Sequence, residues 1–203
     1  MRFSSDQIVH QIITSQHLKG SDLKISRGFF VPAKRTMEHK THCPYCGERL
    51  TQRFVEGRLR LFCSRCSRPI YENPIPAACL MVINSHSQLL LVQRSVEPQK
   101  GLWCLPGGFI ELGEDAKEGA LRELAEETGL DGTIDALLGV RTTNSTLYHS
   151  VLLICFMVRR YNGCLVPGDD AAKVEWFEYG RLPTIAFDSH RFFIDQFFKK
   201  ALQ

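Results

Sequence analysis

The acidic segment at residues 107–130 constrains the fold of this chain more than any other part of the sequence. Small and apolar residues recur in it at spacings of three and four residues, which predicts an amphipathic helix over Asp115–Thr128. The buried side of this helix is expected to consist of Ala116, Ala120, Leu121, Leu124 and Ala125. The Thr128-Gly129 pair is typical of a helix C-terminus, so the helix has a defined end.

Three glutamates lie in the last turns of this predicted helix, where the helix dipole disfavours negative charge: Glu123, Glu126 and Glu127. Like charges one turn apart cost roughly 0.2–0.5 kcal/mol per pair. Glu118 is expected to be an ordinary solvated residue, because Arg122 follows it by four positions as an ion-pair partner. For the other three, a hard divalent cation would replace repulsion by shared coordination to oxygen ligands. The pattern therefore indicates a site that pairs carboxylates with Mg²⁺ and substrate phosphates.

The residues around the helix match a family pattern. Gly108, five residues, Glu114, seven residues and the run 122–130 (RELAEETGL) resemble the Nudix box at every defined position. This resemblance implies an α/β/α sandwich with a mixed sheet, and hydrolysis of a nucleoside diphosphate linked to another group. It also implies that the ligands of a catalytic Mg²⁺ or Mn²⁺ are Glu123, Glu126, Glu127 and the Gly108 carbonyl. Arg122 would orient the carboxylates, and Glu114 would assist the metal site.

The chemistry expected of such a site is simple. Bound cations would neutralise the diphosphate, position it and lower the pKa of an attacking water. Phosphoryl transfer needs little beyond positioning and charge stabilisation. Glu123 is the best placed general base within the box, but Asp169, Asp170 and Glu175 remain open as alternatives.

A second metal pattern precedes the box. Two CxxC pairs, separated by sixteen residues, are formed by Cys43, Cys46, Cys63 and Cys66. The segments 49–55 and 58–62 between them predict a hairpin about Glu56-Gly57. Two such knuckles bring four thiolates to one tetrahedral point, which is the ligand set of a structural Zn²⁺ site. The segment is too short to bury a sufficient core, so the metal is expected to stabilise it.

These patterns divide the 203 residues into three parts. We predict an N-terminal extension with one short helix at 1–41, a Cys₄ zinc ribbon and linker at 42–74, and the hydrolase domain at 75–203. Within the last part, 77–83 and 88–94 are expected to pair as a hairpin. The sequence has no membrane span and no signal of export, which favours the cytoplasm.

The choice among possible substrates rests on the similarity of several sequence runs to groups within the family, and not on the residues alone. The ribbon and the runs 67–74, 101–103 and 186–190 are similar to a group of ADP-ribose and FAD pyrophosphatases. NADH pyrophosphatases are more distant, since the stretch 131–148 lacks their Ser-Gln-Pro-Trp signature, and dinucleoside polyphosphates also stay open. The expected partner is a small nucleotide, with candidate contacts at Arg94, Trp103, Arg141 and Asp170.

A different function class stays open beside the enzymatic one. The ribbon is rich in arginine and could bind nucleic acid or protein, and the protein could then serve as a sensor. A solvated basic surface is the favoured interpretation, because Arg60, Arg65 and Arg68 come with few aromatics expected to be exposed. The formal chain charge of +3 is too small to decide between partners. Whether the chain forms a homodimer is also left open by the sequence.

Overall fold

The computed structural model describes residues 40–145 and 147–201. The helix predicted in the N-terminal extension lies outside the described residues. The strands are β1 (Thr51–Val55), β2 (Arg58–Cys63), β3 (Arg68–Ile70), β4 (Ile75–Val82), β5 (Leu89–Arg94), β6 (Trp103–Cys104), β7 (Gly107–Phe109), β8 (Leu130–Ser145), β9 (His149–Gly163) and β10 (Ala171–Phe177). The helices are α1 (Ala116–Thr128), a 3-10 turn (Tyr179–Arg181) and α2 (Asp188–Ala201).

The strands after residue 74 form two sheets. The larger has the order β7-β4-β9-β8, in which β4 and β9 are parallel and the other pairs are antiparallel. The smaller has the order β10-β5-β6 and is antiparallel. The mixed sheet expected from the family resemblance is thereby confirmed.

Alternate residues of β4 enter two different cores, as expected for a strand that is covered on both faces. Cys79 and Met81 pack in a cluster that contains Phe193 and Ile194 of α2. Leu80 and Val82 pack in another cluster, with the α1 residues Ala120 and Leu124. One helix therefore covers each face of β4, and the predicted α/β/α sandwich is confirmed.

Helix α1 begins and ends where the sequence predicts. Asp115 is its N-cap, and Gly129 is its C-cap in the left-handed region, with φ of 72°. The Asp115 backbone N–H donates to Glu118 Oε2 at 3.0 Å, which completes a capping box. The Glu118 carboxylate therefore caps the start of the helix, and the predicted ion pair between Glu118 and Arg122 is wrong.

In the part of the chain described, no helix is long and apolar enough to span a membrane.

Two strand predictions need correction. The predicted hairpin of 77–83 with 88–94 is wrong, since β4 and β5 belong to different sheets and meet only at a bridge between Ile83 and Leu89. Strand β4 pairs with β9 along 75–82 and with β7 along 77–79, whereas β5 pairs with β10 and β6. The sequence also predicts strands at 133–140 and 148–158, and the observed β8 and β9 are longer. They pair with each other well beyond 151–158, the stretch that β9 shares with β4.

The segment before residue 74 has its own sheet, with the order β1-β2-β3. Strands β1 and β2 form the predicted hairpin, with Glu56 and Gly57 at its turn. Both turn residues have positive φ, 52° and 78°, which suits the right-handed twist of a two-residue hairpin. The buried residues of this segment's apolar cluster are Cys43, Cys63 and Ile70.

Candidate active site

Arg122 is the centre of the polar network on α1. Its Nε donates to Glu114 Oε1 at 2.8 Å, and its Nη1 donates to Glu123 Oε1 at 2.9 Å and to Glu126 Oε2 at 2.8 Å. Its Nη2 donates to the Phe109 carbonyl at 3.1 Å, which ties the network to β7. One planar guanidinium thus holds three carboxylates in fixed directions, an arrangement suited to its fork of donors.

Two glycines allow these carboxylates to approach the backbone. A Cβ at Gly108 would lie 2.4 Å from Glu123 Oε1, and a Cβ at Gly119 would lie 2.7 Å from Glu114 Oε2. The sequence interpretation included Gly108 but missed Gly119. A signal was present, because glycine inside a helix costs about 1 kcal/mol relative to alanine and so needs a reason.

Glu127 is the most deeply buried acid of the cluster, with 5% of its surface exposed. Its Oε2 accepts a hydrogen bond from the Gly107 backbone N–H at 2.9 Å. Burial raises the pKa of Glu127 to about 8, and the charges of Glu123 and Asp170 add to this, while the Gly107 N–H and Arg94 act in the opposite direction. A divalent cation is the kind of group that would compensate such a carboxylate, so these residues fit a metal site.

Glu123 lies beside Glu127 in a partly buried position. Burial raises the pKa of Glu123, and the charges of Glu126 and Asp169 raise it further, whereas Arg122 lowers it. In the described part of the chain, the carboxylates do not converge in a group of three within 4.8 Å. Three of them, Glu114, Glu123 and Glu126, bond instead to Arg122.

The loop before β10 brings two further acids to this cluster. The Val166 N–H donates to the Thr128 carbonyl at 3.0 Å, and the Gly168 N–H donates to the Glu127 carbonyl at 3.3 Å. These bonds fasten the loop to the end of α1, next to the carboxylates. The charges of Asp169 and Asp170 act on Glu123 and Glu127 in consequence. Glu175, the other general-base candidate, is exposed on β10.

Of the four residues expected to contact substrate, the structure brings two to the acidic cluster. Asp170 lies in the loop just described, and the charge of Arg94 acts on Glu127. Trp103 packs edge-on against Phe177, with ring centroids 4.8 Å apart, in the core cluster that includes α2. Arg141 lies over the Phe192 ring of α2 at 4.0 Å. Both residues thus contact aromatic side chains of the cluster that includes α2, and their contacts with substrate stay predictions.

His190 holds the chain segment that leads into β7 and the acidic cluster. Its Nδ1 accepts a hydrogen bond from the Leu105 N–H at 3.1 Å, just before Gly107. Burial, followed by the charge of Arg94, lowers the pKa of His190 to about 3. The ring is therefore neutral at neutral pH and holds the loop in place, as an acceptor.

The four ribbon cysteines form the other candidate metal site. Their Sγ atoms all lie within 4.8 Å of one another. The Cys43–Cys66 and Cys46–Cys63 sulfur pairs are separated by 4.0 Å and 3.5 Å. A tetrahedron of Zn–S bonds of about 2.3 Å has sulfur separations of about 3.8 Å. The cluster therefore fits a zinc ribbon.

Residues 73–199 match the NUDIX domain family. Because this match covers more than half of the chain, the protein belongs to the Nudix family. It is similar to the ADP-ribose pyrophosphatase of Methanocaldococcus jannaschii, with 38% identity over 115 residues, which cover 56% of this chain and 68% of the relative. It is also similar to the NAD-capped RNA hydrolase NudC of Vibrio vulnificus, with 27% identity over 145 residues, 71% of this chain and 53% of the relative.

Solved structures agree with this assignment. A NUDIX hydrolase from Nitrosomonas europaea superimposes with a TM-score of 0.65 and 25% identity, over 79% of this chain and 92% of that one. The NUDIX domain of Shewanella oneidensis NrtR, complexed with ADP ribose, superimposes with a TM-score of 0.57 and 27% identity, over 64% of this chain and 90% of that one. The chain is thus a Nudix-type pyrophosphohydrolase.

Proposed function

We propose that this enzyme uses Mg²⁺, or Mn²⁺, to hydrolyse a nucleoside diphosphate linked to another group, of the ADP-ribose or FAD type, to two monophosphates. The observation that carries the proposal is the buried Glu127, surrounded by Glu123 and the acidic loop. A buried acid among like charges is costly unless a cation shares it. Carboxylates combined with substrate phosphates are the usual setting of Mg²⁺.

Each residue of the network has a role in this proposal. Glu123, Glu126, Glu127 and the Gly108 carbonyl would hold the ion. Arg122 fixes the first two of these acids and Glu114, so the ligands need not be ordered when an ion arrives. Bound Mg²⁺ would supply charge neutralisation and a water of lowered pKa. The general base would be Glu123 or an acid of the loop beside it, Asp169 or Asp170.

Two similarities support ADP-ribose as a substrate. The Methanocaldococcus relative is named as an ADP-ribose pyrophosphatase, and the Shewanella domain was crystallised with ADP ribose. The NudC relatives, named as NAD-capped RNA hydrolases, favour NADH-type compounds as the second candidate. Diadenosine polyphosphates, which the sequence leaves open, are the third.

The test is a substrate panel of ADP-ribose, FAD, NADH and diadenosine polyphosphates, assayed with and without Mg²⁺ or Mn²⁺. We expect metal-dependent cleavage, with two monophosphates identified by chromatography when the substrate is ADP-ribose, FAD or NADH. Glu127→Gln should abolish most of it. Glu111→Gln is the matched control, because Glu111 is exposed and falls at a variable position of the box. No cleavage of any compound by the wild type would refute the proposal, as would full activity of Glu127→Gln.

For the ribbon, we propose a structural Zn²⁺ held by all four cysteines. The sulfur separations support this, as does the small size of the apolar cluster that the thiols join. All four positions would be filled by protein, so the site has a role in folding and not in catalysis.

A further inference from the structure

Three arginines of the β1-β2 hairpin lie on one face of the ribbon sheet. Arg53 of β1 lies directly opposite Arg60 of β2 in the antiparallel register. Arg58 and Phe62 share that face, because alternate residues of a strand point to the same side. Like charges placed directly opposite each other destabilise a sheet. We define the arginine face by Arg53, Arg58, Arg60, Phe62 and Tyr71.

Aromatic rings lie between these arginines. The Arg53 guanidinium lies over the Phe62 ring at 4.6 Å, and that of Arg60 lies over the Tyr71 ring at 4.9 Å. Tyr71 is 44% exposed, so part of its ring remains open to a ligand. The sequence interpretation favoured a plain solvated surface here, and the pairing of arginines with rings is what it missed.

The arginines of this face are not neutralised equally. Glu56 lies 3.2 Å from Arg60 Nε and accepts from the Tyr71 hydroxyl at 3.0 Å. Arg53 and Arg58 are exposed, and neither forms an ion pair with any described residue. Two exposed cations thus share the sheet face of Arg60, whose partner ring Tyr71 is half-open, and Glu56 of the turn is already bound to Arg60 and Tyr71.

The charge of the chain is concentrated in this segment. Residues 40–74 contain seven Lys or Arg and three Glu, an excess of four positive charges in a chain with a formal charge of +3. Four thiolates with one Zn²⁺ would carry two negative charges, so the ribbon stays positive when metal is bound. Because positive charge and a ring coincide, the complementary ligand is a polyanion with unpaired aromatic bases.

We propose that the arginine face binds single-stranded RNA. Arg53 and Arg58 would contact phosphates, and a base would stack on Tyr71, which is the combination that single-strand binders use. A duplex would be disfavoured, because its bases are already stacked on each other. The choice of RNA over DNA rests on the proposed function, since the diphosphates of that class carry ribonucleotides.

The test is fluorescence anisotropy with a labelled oligoribonucleotide, without added Mg²⁺ so that hydrolysis does not interfere. The affinity is measured between about 50 mM and 200 mM salt. In Arg53→Gln/Arg58→Gln, the slope of log affinity against log salt should fall in magnitude by about 1.4, because each lost contact to a single strand removes about 0.7. Tyr71→Leu should weaken binding about fivefold or more. Arg65→Gln, an exposed arginine in the knuckle between Cys63 and Cys66, is the matched control.

The proposal is wrong if the double variant keeps the wild-type slope, or if Arg65→Gln lowers it as much. It is also wrong if a duplex binds as tightly as a single strand, and equal binding of single-stranded DNA would overturn the choice of RNA. Zinc content and circular dichroism of each variant exclude unfolding as the cause. Cleavage of ADP-ribose is measured in parallel and should be unchanged, so loss of the hydrolase proposal and loss of the RNA proposal give different results.

Discussion

The two candidate metal sites of this protein stand in opposite relations to the fold around them. In the ribbon, two of the three buried residues of the apolar cluster are Cys43 and Cys63, so the ligands are themselves most of the core. In the hydrolase part, the acids lie along α1, whose other side joins a cluster of nine buried residues. With its proposed zinc, the first site would hold its segment together, whereas the second is carried by a scaffold that already has a core. Metal removal should therefore unfold the first region and only inactivate the second.

Zinc removal tests this comparison with the largest effect. Structural zinc sites supply about 10 kcal/mol or more of folding free energy. We expect Cys63→Ser to abolish zinc binding and to collapse the amide NMR dispersion of residues 40–74, while signals of α1 and β4 persist. Cys164→Ser is the control, because that thiol is exposed and outside the cluster. A Cys63→Ser ribbon that stays ordered would reverse our view of which region depends on its metal.

Glu127→Gln tests the other half. Activity should fall by about 10³-fold, since metal-based charge stabilisation contributes several kcal/mol to catalysis. Thermal stability should not fall, because glutamine keeps an acceptor for the Gly107 N–H and removes a buried acid that neighbouring acids oppose. Calorimetry of the metal-free proteins measures the second effect. A large drop in melting temperature would show that the carboxylate, like the thiols, holds its region together.

The third prediction has an effect of intermediate size and concerns the pH dependence of stability in the hydrolase part. It rests on the buried His190. Its folded pKa is about 3, below the ordinary 6.5, so the unfolded chain binds one more proton between these values. Stability from this residue is complete above about pH 6.5 and is lost as the pH falls toward 3, at up to about 1.4 kcal/mol per pH unit. His190→Gln should reduce the slope of unfolding free energy against pH in that window. An unchanged slope in His190→Gln would refute this prediction.

Gly119→Ala gives the smallest expected effect. Alanine would improve helix propensity by about 1 kcal/mol. Its Cβ would displace Glu114, which lies 2.7 Å from that position, and so loosen the bonds to Arg122. We expect similar or higher stability with a roughly tenfold to hundredfold lower kcat/KM. Lys117→Ala, exposed on the same helix, is the control for propensity alone. Unchanged activity would show that Glu114 has no positioning role.

The sequence predicted those features that local chemistry specifies. Helix α1 follows from its periodicity and caps, and the ribbon hairpin follows from Glu56-Gly57, because each depends on residues close together in the chain. The pairing of β4 with β9 could not be read, since the two strands are about seventy residues apart and the nearer β5 has the same aliphatic pattern. Long-range pairing depends on which edges are already taken.

The candidate site shows the same division. The box residues were predicted as a set, and the structure brings Arg122, Glu114, Glu123 and Glu126 together. That result does not by itself assign their roles, which stay predictions. The ion pair with Glu118 was wrong because Arg122 has several acids within reach, and sequence spacing does not rank them. The position of Asp169 depends on a loop that returns to the end of α1, and nothing local encodes that return.

The single guanidinium at position 122 has a consequence for which substitutions the site tolerates. Its Nε and Nη2 both donate to Glu114, and Nη2 also donates to the Phe109 carbonyl. Its Nη1 donates to one oxygen of Glu123 and one of Glu126. A lysine would keep the charge and three donors on one nitrogen, but not the planar fork, so it could not hold the three acids in these fixed directions. The carboxylates of Glu123 and Glu126 would then be free to rotate, and their oxygens that do not bond to residue 122 would change position. Position 122 thus requires the planar shape of arginine as well as its positive charge. Even a conservative exchange to lysine would disorder Glu114, Glu123 and Glu126 together.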